Sequence, residues 1–333
     1  KEFGGNDQFG GQMPGQRNGQ DHWKRFGNKD MKPRLRPTSQ GSGFFISDDG
    51  YLVTNNHVIA DGSAFTVVLS DGTELDAKMV GHDSRTDLAV LKVDDKRKFA
   101  YVQFADDSKV RVGDWVVAVG NPFGLGGTVT AGIVSARSRD LGQGPYDDYL
   151  QVDAAVNRGN SGGPTFNNDG EVVGVNTAIF SPSGGSVGLG FAIPAQTVDM
   201  IVGDLQHGGV KRGYLGVQIQ PVTQDIADGL GLKSTDGALV AETQPDTPAA
   251  SAGLKSGDVI VKLNGNAVKD AADLTRKVGA LKPGEKADVG YMRDGREQTA
   301  SVTLGSMQPE KTAAADDSAS PEQAALTLGV QLA

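Results

Sequence analysis

From Ser42 onward the chain is cut into short Val/Ile-rich runs, each bounded by glycine, aspartate or asparagine: GSGFFIS, GYLVTNNHVI, FTVVLSDGTELDAKMVGHD, DLAVLKV, DWVVAVG, TVTAGIVSARSR and EVVGVNTAI. That rhythm fits short strands joined by tight turns and little else. Asp71-Gly72 and Asp169-Gly170 each stand between two such runs, a strong local hairpin signal. With 47 glycines among 333 residues and only 6% aromatics, composition agrees with an all-β protein. Strands at this spacing are expected in antiparallel barrels, which close their own edges. No apolar stretch approaches the roughly 18 residues of a membrane span.

The pattern changes at both ends and once in the middle. Residues 1–40 are rich in Gly, Gln, Asn and charge; over 1–36 eight Lys/Arg stand against four Asp/Glu, a local excess of +4. Such a segment cannot bury a core and is expected to be flexible, its scattered Phe3, Phe9, Met13, Trp23 and Phe26 either solvated or docked on a partner subunit. Residues 41–210 carry the strand pattern and close on a helical stretch, in which Ala195, Val198, Ile201, Val202 and Leu205 share one face ahead of glycines at 208–209. A mixed α+β unit spans 211–305, followed by linker-like composition over 306–325. YLGVQI at 214–219 returns as TLGVQL at 327–332, so 326–333 reads as the start of a second copy of that unit. A chain that opens on Lys1 without methionine reads as a processed or trimmed form, any signal peptide already removed.

Net charge is −9, which argues against nucleic acid as a partner, because phosphate binding needs a basic face. The absence of cysteine removes disulfides, thiolate metal sites and a cysteine nucleophile. GNPFGLGG at 120–127 is glycine-rich but lacks the Lys-Ser/Thr of a phosphate loop, and reads as a barrel loop.

VNRGNSGGPTF, Val156 to Phe166, sets one serine among three glycines. Glycine costs roughly 0.5–1 kcal/mol wherever regular structure would otherwise form, so the run implies either a surface turn or a loop bent to aim its groups. Ser161 needs a base to act as nucleophile. Of the four histidines, His22 lies in the flexible opening, His82 in a polar turn and His207 at a helix end, whereas His57 in TNNHVI follows a strand and is held by structure. A third group must orient the imidazole. Asp87 heads the apolar strand of TDLAVLKV, where partial burial of a carboxylate calls for a cationic partner. Asp61, Asp71 and Asp76 sit in turn-rich, solvated segments, and Asp153 is the reserve. Glycines at 159, 162 and 163 let the backbone turn so that N–H groups of Gly159 and Ser161 converge on one oxygen. GNSGG also fits the nucleophile elbow of a different hydrolase fold, an esterase reading; but that elbow needs strand, turn, helix and a histidine after the serine, whereas the order here is His57, Asp87, Ser161.

These residues together resemble the HtrA (DegP/Do-like) family of serine proteases, over roughly residues 40–305, with GSGFFIS, GYLVTNNHVI, TDLAVLKV, VGDWVVAVGNPFGL, TVTAGIVSA, GNSGGP and GFAIP in the family's order. The resemblance implies a mainly β, chymotrypsin-like double β-barrel protease domain, followed by an α+β PDZ domain. It implies His57 as general base, Asp87 as orienter and Ser161 as nucleophile, with Gly159, Asn160 and Ser161 as oxyanion loop. Asn176 to Ser181 would line the substrate groove, including Thr177, Ala178, Ile179, Phe180 and Ser181. Ala155, six residues before the serine, would floor an uncharged primary pocket narrowed by Ile179, favouring cleavage after Val, Ala or Ile. GYLGVQI would supply a carboxylate-binding loop at Tyr214, Leu215, Gly216 and Val217, and the strand after it would pair with an extended peptide.

By the same resemblance the expected function is ATP-independent degradation of misfolded or unfolded proteins in the bacterial periplasm, with chaperone-like holding of clients, C-terminal peptides bound by the PDZ domain, and assembly as a homotrimer or a multiple of trimers. The family's barrel has a further strand ahead of the flexible segment, and the family often has a second PDZ domain. No metal or cofactor is expected. The competing reading is a chaperone or peptide-binding scaffold whose triad is held inactive, with loops 120–127, 140–148 and 177–186 in control. If His57 is the base, activity falls as pH drops through roughly 6–7, where imidazole ordinarily titrates. A pH–rate profile flat from about pH 5 to 8 would remove His57 from that role.

Overall fold

The computed structural model describes residues 39–122 and 126–307. Expectations for residues 1–38, for 123–125 and for 308–333, including nearly all of the linker and the second-copy echo, lie outside the described residues.

Five strands form the first β unit: β1 (Phe44–Phe45), β2 (Tyr51–Asn55), β3 (Phe65–Val68), β4 (Glu74–Asp83) and β5 (Leu88–Val93), antiparallel in the order β1-β2-β5-β4-β3. Asp71-Gly72 makes the β3–β4 hairpin as its chemistry requires. A one-turn helix, α1 (Asn56–Ile59), follows β2 directly. Six strands form the second unit: β6 (Trp115–Gly120), β7 (Thr128–Arg139), β8 (Tyr149–Val152), β9 (Pro164–Phe166), β10 (Val172–Ile179) and β11 (Gly190–Pro194). They close on themselves as a barrel in the order β10-β11-β8-β7-β6-β9.

Strand β5 shows why the two units hold together. Ala89, Leu91 and Val93 face a core within the first unit, with Leu52, Ile59 and Phe99. Leu88 and Val90 face the other way, against Val172, Val175, Phe191 and Ile193 of the barrel and Val198, Ile201, Val202 and Leu205 of helix α2 (Ala195–Gln206). A strand buried on both faces reads as a continuous apolar run, which is what LAVLKV is. The helix stops where Gly208 and Gly209 take φ of +105° and +101°. His82 and Asp76 are strand residues of β4 rather than turn residues, since the polar alternation of that segment belongs to a half-exposed strand.

The third unit contains β12 (Gly213–Tyr214), β13 (Val217–Pro221), α3 (Gln224–Leu230), β14 (Ala238–Thr243), α4 (Pro248–Ser251), β15 (Val259–Leu263), β16 (Asn266–Ala267), α5 (Ala271–Gly279), β17 (Lys286–Arg293), β18 (Arg296–Thr303) and β19 (Gly305–Ser306). Its main sheet runs β13-β14-β15-β17-β18, leaving β13 at an edge, and its core gathers Leu215, Val240, Ile260, Leu274, Val289 and Leu304. Ser306 belongs to this unit, not to the linker: β19 pairs with β12, and Met307 N–H donates to the Arg212 carbonyl at 3.2 Å.

A buried ion pair fastens the third unit to the first. Arg212 Nη1 and Nη2 reach Asp83 Oδ1 and Oδ2 at 2.9 and 2.6 Å, with both side chains under a tenth exposed. Burial alone would raise the Asp83 carboxyl, but the bonds from Arg212 and Thr86 outweigh it and hold the group below its ordinary value. The Arg212 guanidinium also lies 4.4 Å from the centre of the Tyr146 ring, and Arg276 donates to the Asp147 carbonyl at 2.8 Å. Asp83→Asn would leave a buried guanidinium without its counter-charge, at a cost of about 3–5 kcal/mol. The carboxylate's contribution is complete above about pH 4, the ordinary unfolded value, and is lost as pH falls through the lower folded value. Thermal unfolding of wild type and Asp83→Asn should therefore diverge at neutral pH and converge in acid.

Candidate active site

Asp87 sits immediately before β5, in the left-handed region at φ +55°, a conformation that aspartate tolerates better than most side chains. Its backbone carbonyl accepts from Asn56 N–H at 3.0 Å and from Asn55 Nδ2 at 2.9 Å. Its carboxylate accepts from His57 N–H at 2.8 Å through Oδ1, and from His57 Nδ1 and Thr177 Oγ1, both at 2.7 Å, through Oδ2. The side chain is 23% exposed, so the expected partial burial is present. A carboxylate only accepts, so Nδ1 carries the proton in neutral His57 and Nε2 is left as the basic nitrogen. That ring is half exposed, where Asp87 also meets Thr177 of the second β unit.

Ser161 is brought to the same place by a different route. Strand β10 carries a bulge between Asn176 and Ala178, centred on Thr177. A bulge re-aims a side chain without breaking the sheet. Here it sends the Thr177 hydroxyl to Asp87 and presents the Thr177 carbonyl to Ser161, whose Oγ donates to it at 3.4 Å. No hydrogen bond joins Ser161 to His57 among the described residues. Thr177, expected in the substrate groove, thus touches both the carboxylate and the serine.

The glycines around Ser161 divide their tasks. Gly159 has φ +104° at the third position of a turn closed by Asn160 N–H donating to the Asn157 carbonyl at 3.0 Å, a position that requires positive φ in a type II turn. In this turn the N–H groups of Gly159 and Ser161 meet no protein acceptor among the described residues, while that of Asn160 is consumed. Gly162, at φ +86°, and Gly163 are needed for close approach instead. A Cβ would lie 2.3 Å from the Ser42 carbonyl at Gly162, and 2.2 Å from the Val119 carbonyl at Gly163. Buried Asn176 pins the loop from behind, its carbonyl accepting from Gly162 N–H at 2.8 Å and its N–H donating to the Gly163 carbonyl at 2.9 Å. Ser42, Thr54 and Asn55 escape sequence reasoning because their roles depend on contacts across long chain separations, and Asn176, expected in the substrate groove, is instead buried behind the loop.

The remaining candidates fall as follows. Asp153 does not reach His57; its Oδ1 accepts from Ile133 N–H at 2.6 Å and braces β7. His82 Nδ1 pairs with Asn56 Oδ1 at 2.8 Å, and His207 Nδ1 with the Gly203 carbonyl at 2.6 Å. Ala155 gives its carbonyl to Thr130 Oγ1 at 2.9 Å, and Ile179 packs on the barrel core, while Phe180 is 63% exposed. Ser181 Oγ closes the following loop onto the Gly185 carbonyl at 2.5 Å. Tyr149 lies near Asp87, and burial, then the charges of Asp147 and Asp87, push its phenol well above the ordinary value, so it stays neutral.

In the third unit, Gly216 at φ +84° bends the chain between β12 and β13, with no room for a Cβ against Thr247. Leu215 is buried in the core and Tyr214 bonds Gln244 through its hydroxyl. The N–H groups of Leu215 and Gly216 meet no protein acceptor among the described residues, and they lie just ahead of edge strand β13, which begins at Val217. A cavity of about 340 Å³ lies between Ile219 of β13, Ala271, Ala272 and Thr275 of α5, and the loop at Asp140 and Gln143.

Comparison with known proteins places these sites in context. Residues 41–175 match the trypsin-like peptidase domain, and residues 213–304 the PDZ domain. A Rhizobium meliloti protein named as a DegP-like periplasmic serine endoprotease is 65% identical over 306 residues, covering 91% of this chain and 61% of its own length. A Brucella suis protein of the same name is 63% identical over 286 residues, covering 85% of this chain and 56% of its own. The chain thus spans about three-fifths of the length of the curated relatives it matches. Among solved structures, the HtrA-type protease AlgW with a decapeptide is 42% identical, at TM-score 0.73, covering 81% of this chain and 83% of its own. The serine endoprotease from Yersinia pestis is 34% identical, at TM-score 0.64, covering 84% and 92%. One fold, one domain order and this identity over most of both chains show that the chain belongs to the HtrA family of trypsin-like serine proteases with a PDZ domain.

Proposed function

We propose that the chain is a serine endopeptidase of the periplasm that degrades misfolded or unfolded proteins without ATP. The observation that carries this reading is the His57–Asp87 pair, whose geometry leaves Nε2 basic in the cleft that Ser161 lines. Ser161 Oγ attacks the scissile carbonyl and His57 Nε2 takes its proton; Asp87, held by three donors, keeps the ring in that tautomer and offsets the imidazolium charge. The carbonyl oxygen, now an oxyanion, is received by the N–H groups of Gly159 and Ser161. His57 then returns the proton to the leaving amine, and water resolves the acyl-enzyme by the same steps. Attack requires Ser161 Oγ to turn from the Thr177 carbonyl to His57, a side-chain rotation of the kind that substrate binding drives in resting sites.

That same contact favours the second reading, a client-holding protein whose serine stays turned away. Casein turnover with Ser161→Ala as control separates the two. The first reading expects a loss on the order of 10⁴–10⁶ in kcat. The second expects wild type to protect unfolded clients without turnover. The uncharged Ala155 and Ile179 support cleavage after Val, Ala or Ile, and a peptide-library profile dominated by Lys or Arg would overturn that preference.

The third unit is proposed to hold C-terminal peptides, the carboxylate on the free N–H groups of Leu215 and Gly216, and the chain pairing with β13. Self-association, as a trimer or a multiple of it, is supported by the outer face of the barrel. Trp115↔Ile133, Val117↔Ala131 and Val119↔Val129 are directly paired across β6 and β7, and Trp115 and Val129 are 61% and 66% exposed. Directly paired residues share a face, and a continuous exposed apolar face of this kind marks an interface. Trp115→Asp should lower the mass measured by light scattering, and an unchanged mass would remove this face from the assembly.

A further inference from the structure

We propose that Ser42 is a positioning residue for the oxyanion turn, its hydroxyl fixing the directions of the Gly159 and Ser161 N–H groups; this rests on the protease reading above. Ser42 lies between Gly41 and Gly43, ahead of β1, in the first β unit, yet it donates twice to the nucleophile loop. Its Oγ donates to the Gly159 carbonyl at 2.7 Å and accepts from Asn121 N–H at 2.9 Å. Its N–H donates to the Ser161 carbonyl at 2.8 Å, and its own carbonyl accepts from Thr54 Oγ1 at 2.7 Å. The roles at the hydroxyl are not interchangeable. A backbone N–H can only donate and a carbonyl only accept, so the hydroxyl hydrogen is committed to Gly159.

The peptide joining Gly159 to Asn160 is thereby clamped at both poles, its carbonyl by Ser42 and its N–H by the Asn157 carbonyl at 3.0 Å. This peptide stands between the two that carry the free N–H groups. Rotating it changes ψ of Gly159 and φ of Asn160 together, and so changes the angle between the two donors. Glycine, with the broadest φ/ψ freedom, does not resist that rotation by itself. The clamp also sets the frame of reference. Thr54 belongs to β2, and β2 leads directly into α1, which carries His57. One strand thus places the base on one side and, through Thr54 and Ser42, the oxyanion turn on the other.

Ser42→Ala removes the hydroxyl and leaves the backbone bonds of residue 42 in place, so it isolates the clamp. With a chromogenic peptide ending in valine, kcat should fall about 10–100-fold, less than or comparable to the loss of a whole oxyanion donor. KM should stay within about threefold of wild type, because substrate binding in the ground state does not use this contact. Affinity for a valine boronic acid peptide, a mimic of the tetrahedral state, should fall in step with kcat. Ser42→Thr, which restores the hydroxyl, should recover most of both. Unfolding temperature and binding of a C-terminal peptide to the third unit should not move. Amide hydrogen exchange at Asn160 supplies a readout that needs no catalysis, and Ser42→Ala should speed it at least tenfold. Should wild type itself turn over no substrate, the protease reading fails, and the exchange arm still decides for or against the clamp. If Ser42→Ala does not fold, Thr54→Val loosens the same residue from behind and should act in the same direction. The proposal is overturned by a kcat within twofold of wild type with unchanged Asn160 exchange, or by kcat, KM and unfolding temperature moving together, as a general structural lesion would make them.

Discussion

The Asp87 carboxylate is the fixed point of this molecule. It collects donors from the backbone of His57, the ring of His57 and the hydroxyl of Thr177, so that α1 of the first unit and β10 of the second meet on one side chain. The strained φ at this residue is sustained because its carbonyl is held as well, by Asn55 and Asn56. His57 and Thr177, from the two β units, thus share one carboxylate. The apolar strand that begins at the next residue gives this arrangement its stiffness, because β5 is buried on both faces and cannot slip by one residue without turning its core side chains the wrong way.

Thr177 shows how a single irregularity serves two purposes. In a regular strand its hydroxyl and carbonyl would be committed to one face and to the ladder. The bulge releases both, one to Asp87 and the other to Ser161. The serine therefore rests against the residue that supports the carboxylate. The oxyanion turn shows the complementary economy: Gly159 supplies the backbone angle, while Gly162 and Gly163 make room for the Ser42 and Val119 carbonyls. The glycine run seen in the sequence was read as a device for aiming N–H groups. The structure assigns that task to one glycine and gives close approach to the other two.

What could be read from the sequence follows the range of the interactions involved. Asp71-Gly72 and the apolar stripe of α2 are local, and each element formed where its residues indicate. The pairing of His57 with Asp87 was legible for a different reason: a charged side chain at the head of an apolar strand needs a partner, and candidates were few. The supports at Ser42, Thr54 and Asn55 carry no such mark. Serine, threonine and asparagine are ordinary in loops and strands, and their significance arises only when contacts 117 or 12 residues apart in the chain are closed, as for Ser42 with Gly159 and with Thr54. His82 reads as a turn residue because histidine beside aspartate has loop composition, whereas Asp76 and His82 lie on the exposed side of β4 and Asp83 is buried.

Contacts distant in the chain also tie the third unit to the segment that carries Asp87. Asp83 ends β4, four residues before Asp87, and its partner Arg212 opens the third unit. Arg212 stacks on Tyr146, whose ring packs where Gly279 of α5 has no side chain, and Arg276 of that helix holds the Asp147 carbonyl. The Asp147 carboxylate in turn accepts from the N–H groups of Leu141 and Gln143, shaping the loop that walls the cavity beside β13. Each contact is short and several are charged, so they behave as a set with few alternatives rather than as a soft surface. The wall at Asp140 and Gln143 is thereby continuous through Asp147, Tyr146 and Arg212 with the segment that carries Asp87.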